Sequence, residues 1–393
     1  MKELFPIFQN KPDLVYLDSA ATSMKPQSVI EAELRYYTSY TSNVHRGLYP
    51  LAVKATNEYE SAREIIKKFF NSGEAIFTKS ATEALNLLAY ILIPELKGSI
   101  AITAAEHHSN YLPWVELARK FGKKVVIIDT VSPSFSWDLF TQMLPDDVAL
   151  VSFGHVSNVL GTEVDVESTI RSIRKNRECY VVVDAAQSAS HGRVDLKKWD
   201  ADFIAVSGHK MFGPTGIGVL LAKSSSLTGK NPFMFGGEMV ASVSEKSIIY
   251  EDVPGRYEAG TQPIAQAIAL AEASRCIQKV GKDTIDSTVE AITKHARQQL
   301  DKSFGDTIEW VSRGNDTSGI LTWNMKGTHP HDLAEILGQE GVCVRAGHHC
   351  ASMLHRKLGI DYSLRASFHI YNTEEDVEKL IKALEKSVSL LSY

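Results

Sequence analysis

Cysteine is scarce in this sequence, and there is no excess of positive charge. Its 393 residues include four cysteines, at positions 179, 276, 343 and 350, and no two of them have Cys-x-x-Cys spacing. That number and spacing argue against a disulfide framework or a zinc finger, so we expect no metal site, although a single reactive thiol stays possible. The net charge of −5 offers no basic surface, so we expect no nucleic-acid partner.

Long apolar runs and internal repeats are also missing. No stretch approaches the ~20 consecutive apolar residues of a membrane-spanning helix, so we expect no membrane partner. The opening residues Met-Lys-Glu-Leu-Phe-Pro lack the apolar core of a signal peptide. The cytoplasm is therefore the expected location.

The length and the hydrophobic pattern predict two domains. A chain of 393 residues exceeds the usual size of a single core. Short Val/Ile-rich runs alternate with helical patterns from about residue 16 to 262, which indicates a largely parallel sheet covered by helices. A helical stretch from about 265 to 304, a few strands and a closing helix from Glu374 fit a smaller α+β domain. We predict a large domain at 14–263 and a small one at 264–393, with residues 1–13 packing on the small domain.

An acid and an amine follow two neighbouring strands. Val181 to Val183 form a predicted buried strand that ends at Asp184, and the strand at 203–206 leads into Lys210. Open α/β sheets bind ligands at this carboxyl edge. A carboxylate there can keep a pyridine nitrogen protonated, and a lysine amine can react with an aldehyde. Alone, Asp184 also fits a helix cap and Lys210 a solvated loop lysine, but the pair in this order favours a pyridoxal 5′-phosphate (PLP) site.

Longer motifs give a family resemblance over nearly the whole chain. Tyr-Leu-Asp-Ser-Ala-Ala at 16–21, Asn-Val-His-Arg-Gly at 43–47 and Arg-Ala-Ser-Phe-His-Ile-Tyr-Asn-Thr at 365–373 occur in order with the Asp184 and Lys210 motifs. Together they resemble the class V aminotransferase family of fold-type I PLP enzymes, and within it the SufS-like branch of the cysteine desulfurases. The resemblance implies an α/β homodimer whose large domain has a mostly parallel seven-stranded sheet, with a small α+β C-terminal domain.

The resemblance also assigns residues to the cofactor. These are Ala81, Thr82, His107, Asn158, Asp184, Gln187, Ser207, His209, Lys210 and Thr261. Ala81 and Thr82, at a predicted helix start, would bind the phosphate together with Ser207 and His209. Thr261 would reach the phosphate of the neighbouring subunit. On local pattern alone, residues 80–86 read as a Ser-capped helix with Glu at its third position.

Four side chains have both an implied role and an ordinary alternative. His107 would cover the cofactor ring and move protons, or it belongs to a surface His-His pair. Asn158 would lie near the phenolic oxygen of PLP or the substrate carboxylate, and Gln187 near the same oxygen; the alternatives are a turn residue and a surface amide. Arg365 would bind the substrate carboxylate through two hydrogen bonds, unless it forms a surface ion pair.

Cys350 separates a desulfurase from an ordinary aminotransferase. It follows Gly-His-His in a short polar stretch, and Arg345 could lower the pKa of its thiol. The resemblance implies that Cys350 attacks the sulfur of L-cysteine, giving L-alanine and a persulfide, with Lys210 and His107 as the other catalytic residues. Cys343, in the alternating run Val-Cys-Val, fits a packing role.

Several alternatives stay open. A selenocysteine lyase would use the same lysine, aspartate and arginine, another class V enzyme would act on a different amino acid, and a scaffold for sulfur transfer would be inactive. The resemblance implies a sulfur acceptor of the SufE or SufU type and a role in iron–sulfur cluster assembly. His331 would bind the zinc of a SufU-type carrier, or it is part of a plain helix start with Asp332 in a capping role. Arg46 would reach toward the pocket of the other subunit, as Thr261 would.

Overall fold

The computed structural model describes residues 1–132, 135–313 and 316–391. Its strands are β1 (Val15–Tyr16), β2 (Glu74–Thr78), β3 (Ser99–Thr103), β4 (Val125–Ile128), β5 (Val148–Gly154), β6 (Tyr180–Asp184), β7 (Phe203–Ser207), β8 (Gly218–Ala222), β9 (Val240–Val243), β10 (Ile248–Tyr250), β11 (Ile308–Trp310), β12 (Ile320–Met325), β13 (Val342–Cys343), β14 (Arg345–Gly347) and β15 (Ser363–Ser367). Its α-helices are α1 (Pro6–Asn10), α2 (Gln27–Ser39), α3 (Pro50–Phe69), α4 (Ala81–Leu92), α5 (Leu112–Lys120), α6 (Trp137–Met143), α7 (Val166–Arg174), α8 (Leu196–Trp199), α9 (Ile264–Val280), α10 (Lys282–Phe304), α11 (Pro330–Gln339), α12 (Ser352–Leu358) and α13 (Glu374–Leu391).

A seven-stranded sheet forms the larger part of the fold, in the order β2-β8-β7-β6-β5-β3-β4. Its strands are parallel except β8, which is antiparallel to both of its neighbours. Val181 and Val183 pack into one apolar cluster and Val182 into another, so both faces of β6 are covered. This confirms the predicted mostly parallel sheet, and it brings the carboxyl ends of β5, β6 and β7 to one edge.

A four-stranded antiparallel sheet forms the core of the C-terminal part, in the order β11-β12-β15-β14. Its register places Arg345 of β14 opposite Arg365 of β15. Helices α10, α11 and α13 contribute to the apolar cluster on this sheet. The predicted smaller α+β unit is therefore confirmed.

The helical stretch predicted from about 265 to 304 consists of two consecutive helices, α9 and α10. Gly281 separates α9 from α10 and has φ 85°, a conformation that side chains with a Cβ rarely adopt. Helix α9 packs with α2 and α3 in the apolar cluster of the large sheet. The domain boundary between 263 and 264 stays a prediction.

The first residues of the chain contact segments distant in sequence. Strand β1 pairs in parallel with β13, with Val15 opposite Val342. The ring of Phe5 lies 4.9 Å from that of Tyr371 and 5.4 Å from that of Phe212, between ring centroids. Phe5 thus contacts both the C-terminal part and the region of the large sheet, and the packing of residues 1–13 on the small domain stays a prediction.

In the described ranges, no helix is both long enough and apolar enough to cross a membrane.

Candidate active site

A cavity of about 780 Å³ lies where the carboxyl edge of the large sheet meets the small sheet. Nearly all of the predicted site residues line it. They are Ala81, Thr82, His107, Asn158, Asp184, Gln187, Ser207, His209, Lys210, Cys350 and Arg365. The structure therefore brings together side chains that are up to 284 positions apart in the chain, counted from Ala81 to Arg365.

Asp184 and Lys210 form the floor of the cavity. Asp184 ends β6 and is 9% exposed, and its Oδ1 accepts a hydrogen bond of 2.9 Å from the amide of Ala186. Burial raises the pKa of this carboxyl, and the Ala186 amide and Lys210 oppose the rise. Lys210 follows β7, and burial lowers its pKa to about 8, partly offset by Asp184. Within the described residues no carboxylate forms a salt bridge with Lys210, and the lowered pKa leaves part of the amine neutral and able to act as a nucleophile.

The amino terminus of α4 forms one wall. The amide of Ala81 donates to Ser207 Oγ at 2.9 Å, and the hydroxyls of Thr82 and Ser109 lie 2.7 Å apart. In the described structure Ser80 makes no side-chain capping bond, and Glu83 accepts from the amide of Lys79 rather than from that of Ser80, so the expected capping box does not form. A helix start with hydroxyls beside it is a suitable site for a phosphate.

Two imidazoles in the cavity wall are neutral near pH 7. Burial lowers the pKa of His107 to about 3, with a further contribution from Lys210, and it lowers that of His209 to about 4. The Nδ1 of His107 accepts a hydrogen bond of 3.1 Å from the amide of Ser109, so its proton is on Nε2. The neutral His107 ring, with its Nε2–H, can cover an aromatic cofactor.

The side chain of Gln187, also in the cavity wall, donates from Nε2 to the carbonyl of Ala20 at 3.1 Å.

Arg365 is 2% exposed and, among the residues that the structure describes, one of its buried donors has no partner. Its Nη1 donates to the carbonyl of Asn158 at 3.0 Å and its Nη2 to Asp18 Oδ1 at 3.1 Å. Among the described residues nothing accepts from its Nε. A buried unpaired donor is costly, and an arriving carboxylate would satisfy it.

Asp18 joins Arg365 to a second arginine, a contact that sequence reasoning missed. Its Oδ2 accepts from Arg345 Nη2 at 2.8 Å, so one carboxylate holds two guanidinium groups side by side. The motif at 16–21 contained Asp18, but nothing in the local pattern paired it with strands β14 and β15. The charge of Arg345, which we expected to act on Cys350, is already partnered.

Cys350 lies on the short segment between β14 and α12, and it is the exposed one of the four cysteines. Burial raises the pKa of Cys179 to about 11 and also raises that of Cys343, which is half-buried. Those surroundings suit packing roles. The thiol that lines the cavity is therefore that of Cys350.

The backbone at Cys350 is left-handed over two consecutive residues. His349 has φ 51° and Cys350 φ 55°, and such conformations cost ~1–3 kcal/mol for each non-glycine residue. Their carbonyls accept hydrogen bonds of 2.7 Å each, from Asn158 Nδ2 to His349 and from the His108 amide to Cys350. The Asn158 amide thus contacts the segment at 348–351 that carries the Cys350 thiol, which we call the thiol segment. The predicted contact of Asn158 with the cofactor or substrate stays a prediction.

Residues 15–380 of the sequence match the family Aminotransferase class-V. The chain belongs to the class-V aminotransferase family. It is 41% identical to a probable cysteine desulfurase of Halobacterium salinarum, over 98% of this chain and 94% of that protein. The solved cysteine desulfurase of Thermococcus onnurineus is 37% identical, with a TM-score of 0.93 over 99% of this chain and 98% of that one. The cysteine desulfurase CsdA of Escherichia coli, in an S-sulfonic acid form, is 34% identical, with a TM-score of 0.90 over 99% and 98%.

These relatives confirm the predicted family and enzyme class, and the SufS-like branch stays a prediction. Class-V aminotransferases and cysteine desulfurases depend on PLP. The cavity fits that cofactor because it provides a buried carboxylate at Asp184, an unpaired amine at Lys210 and the start of α4 for the phosphate. The predicted cofactor is therefore confirmed at the level of the family.

Glu106 is a second site residue of this class-V aminotransferase that sequence reasoning missed. It is 5% exposed and accepts hydrogen bonds from Thr103 Oγ1, Asn110 Nδ2 and the Gly154 amide, at 2.5, 2.5 and 3.1 Å. Burial raises the pKa of Glu106 to about 7. It ties the segment carrying His107 to the end of β5. Its position directly before His107 was the available signal, but its depth was not visible in the sequence.

Thr261 and Arg46 lie outside the cavity of their own chain. Thr261 is exposed on the loop before α9, and the exposed Arg46 Nε pairs with Glu238 Oε1 at 3.3 Å. In one copy of the chain, neither residue reaches the predicted phosphate site.

Proposed function

We propose that this chain is a PLP-dependent L-cysteine desulfurase that releases L-alanine and retains the sulfur as a persulfide on Cys350. The observation that carries the proposal is that Lys210 and Cys350 line one cavity, one from each sheet. A plain aminotransferase needs the lysine but has no use for an accessible thiol opposite it. The SufS-like assignment rests on the shortness of the thiol segment between β14 and α12.

In this proposal the large sheet holds the cofactor. Asp184 would partner the ring nitrogen, His107 would cover the ring, Gln187 and Asn158 would lie near the phenolic oxygen, and Lys210 would form the covalent link. Ala81, Thr82, Ser207 and His209 would bind the phosphate. When bound, PLP supplies a conjugated ring that accepts electron density from the α-carbon of the amino acid.

Arg365 and Lys210 orient the substrate and move its protons. Arg365 binds the substrate carboxylate with the Nε donor that lacks a partner in the described structure. The lowered pKa of Lys210, about 8, leaves a fraction of its amine unprotonated near neutral pH. That amine can accept the α-proton at Nζ, while the Nε2–H of the neutral His107 ring can donate a hydrogen bond.

Sulfur transfer then uses the Cys350 thiolate. An S–S bond forms between Cys350 Sγ and the substrate sulfur, and the Cβ–S bond of the substrate breaks with its electron pair left on carbon. The Lys210 ammonium donates a proton that completes the methyl group of alanine, and the proton given up by the Cys350 thiol restores the hydrogen at Cα. The net change converts two thiols into a methyl group and a persulfide, so the two sulfurs are oxidised and Cβ is reduced.

We also propose that the enzyme is a homodimer in which Thr261 and Arg46 serve the other subunit's pocket. The exposed apolar side chains Ile30, Leu34 and Tyr37 on α2 support this, because a monomer rarely exposes such a group together. Mixing Thr261→Ala subunits with Lys210→Ala subunits tests it, since each heterodimer should regain one working site. A fully active monomer contradicts it.

The sulfur acceptor is proposed to be a carrier protein of the SufE or SufU type, with iron–sulfur cluster assembly in the cytoplasm as the destination. His331 is exposed in the first turn of α11, and its Nε2 lies 3.8 Å from the point that a Cβ on Gly347 would occupy. His329, rather than Asp332, caps this helix through Nδ1. Loss of SufU-stimulated turnover in His331→Ala, but not in His295→Ala, supports the zinc-binding role, and full stimulation contradicts it.

The deciding experiment measures alanine and protein persulfide from L-cysteine with purified enzyme and added PLP. Cys350→Ala should keep the visible absorption of bound PLP but form no persulfide, because the thiol acts only at sulfur transfer. Cys343→Ala is the matched control and should behave like the wild type. A persulfide mapped to Cys343, or a higher kcat/KM for L-selenocysteine than for L-cysteine, contradicts the proposal.

A further inference from the structure

The thiol segment holds the two adjacent left-handed residues His349 and Cys350, and it is the one place in the described chain where two non-glycine residues with positive φ are consecutive. Neither residue is glycine, so the segment keeps this conformation only if its surroundings fix it. Contacts that hold the segment therefore decide where the thiol lies.

Two of those contacts come from the large-sheet side of the cavity. The Asn158 amide donates to the His349 carbonyl and the His108 amide to the Cys350 carbonyl, each at 2.7 Å. The Ala351 amide closes the turn on the His348 carbonyl at 2.8 Å. The first two bonds hold the backbone from the large-sheet side, and the next contacts lie on the side of the small sheet.

On that side the anchor is the side chain of His349, which is 8% exposed and points away from bulk solvent. Its Nε2 lies 3.1 Å from both the carbonyl and the hydroxyl of Ser363, on β15. The Ser363 hydroxyl lies 2.9 Å from Nε2 of His355, whose Nδ1 is 3.1 Å from the Ala351 carbonyl. Ser363 and His355 are 0% and 1% exposed.

The donors and acceptors in this group can be assigned. The Ala351 and Ser363 carbonyls only accept, so His355 is protonated on Nδ1 and His349 on Nε2. The free Nε2 of His355 then accepts the Ser363 hydroxyl proton. Burial lowers the pKa of both histidines, that of His349 to about 2, so both rings are neutral and these tautomers are fixed.

We propose that His349, held by Ser363 and His355, is the positioning residue of the Cys350 thiol. It fixes the left-handed segment to the small sheet while Asn158 and His108 fix it to the large one, so the thiol stays directed into the cavity. This inference rests on the proposed role of Cys350 in sulfur transfer, but the geometry of the anchor does not depend on that role.

Two substitutions of His349 separate positioning from proton transfer. His349→Gln keeps a donor near the position of Nε2, whereas His349→Leu removes it. For His349→Leu we expect kcat to fall about 30-fold with KM within about twofold, because misplacing a reacting group by about 1 Å can cost up to 10²-fold. His349→Gln should retain kcat within about threefold of the wild type. Ser363→Ala should fall between the two.

A second measurement uses the cofactor-free protein and needs no turnover. Hydrogen–deuterium exchange should become faster at the amides of His108 and Ala351 in His349→Leu and Ser363→Ala, although neither substitution touches His108. Ser387→Ala, a buried serine substitution in α13, is the matched control and should leave exchange there unchanged. The thermal midpoint of each variant identifies any global loss of structure.

Two outcomes overturn the proposal. If His349→Gln loses as much kcat as His349→Leu, the imidazole itself takes part in the chemistry. If His349→Leu changes neither the exchange at His108 nor kcat, the segment is held without it. If the wild type forms no alanine, the proposed function fails, and the exchange measurement still decides the role of the anchor.

Discussion

The two reactive side chains of the cavity are prepared in different ways. The turn Gly208–Lys210 contains no left-handed residue, and the chemistry of Lys210 is altered by burial, which lowers its pKa to about 8. Cys350 is exposed, and what distinguishes it is a left-handed backbone held by both sheets. The amine is thus tuned electrostatically by one sheet edge, whereas the thiol is positioned by contacts between two. Substitutions on the Lys210 side should act on charge and cofactor binding, and those on the Cys350 side on distance.

The largest effect is expected from breaking the Lys210 side. Lys210→Ala should lower alanine formation by about 10³-fold or more, because it removes both the covalent link and a proton carrier. The visible absorption of bound PLP should be lost with it. Lys223→Ala, whose lysine pairs with Asp200 outside the cavity, should retain both. Turnover that survives Lys210→Ala contradicts the mechanism.

The next largest effect is expected at Arg365, on strand β15 beside β14. Arg365→Lys keeps the charge but loses a charge-assisted hydrogen bond worth ~1.5–3 kcal/mol, which corresponds to a KM for L-cysteine about 10–100-fold higher. Steady-state kinetics in PLP-saturated enzyme provide the measurement. Arg297→Lys, at an ion pair with Asp316 outside the cavity, is the control. An unchanged KM in Arg365→Lys would move the carboxylate site elsewhere.

A smaller effect should distinguish the two possible roles of Asn158. If its amide holds the Cys350 segment, Asn158→Ala should lower kcat about tenfold and leave the Kd for PLP within about twofold. If it binds the cofactor, the Kd should rise instead. An absorbance titration with PLP, combined with kinetics, measures both quantities. Asn324→Ala, whose amide donates to the Tyr362 carbonyl outside the cavity, controls for the loss of a side-chain amide.

The smallest effect concerns the free energy of unfolding, and it tests whether burial lowers the pKa of Lys210. The pKa of Lys210 is lowered from 10.5 in the unfolded chain to about 8 in the fold, so below pH 8 the charged amine destabilises the cofactor-free protein. Lys210→Met should therefore stabilise it at pH 7 by about 1–2 kcal/mol, less than the ~3 kcal/mol that the full change in pKa corresponds to, because the Lys210 side chain is only partly buried and solvent screens its charge. That advantage should shrink as the pH rises from 8 to 10.5, where the folded lysine is already neutral. Urea unfolding at several pH values measures it, and a pH-independent difference would refute it.

The sequence predicts the Lys210 side of the site better than the Cys350 side. Strand periodicity places Asp184 and Lys210 at one sheet edge, because the carboxyl ends of neighbouring parallel strands coincide. Local patterns give no sign of the left-handed backbone at His349, since neither it nor its neighbour is a glycine. Local patterns also do not predict that Asp18 binds two arginines or that Glu106 is buried. Both features depend on contacts between segments far apart in the chain.

The pairing of β1 with β13 has a consequence for how the enzyme folds. Val15 cannot form its ladder until Val342 exists, and Asp18 cannot bind Arg345 and Arg365 until the same late segment arrives. Contacts of such large sequence separation form slowly, because a long loop must close before they contribute any stability. On the ribosome, the large sheet can assemble while Val15 and Asp18 still lack these partners. The carboxylate-binding half of the site is then completed after the large sheet, so the thiol is first positioned opposite the lysine only once residues 342–365 have been synthesised.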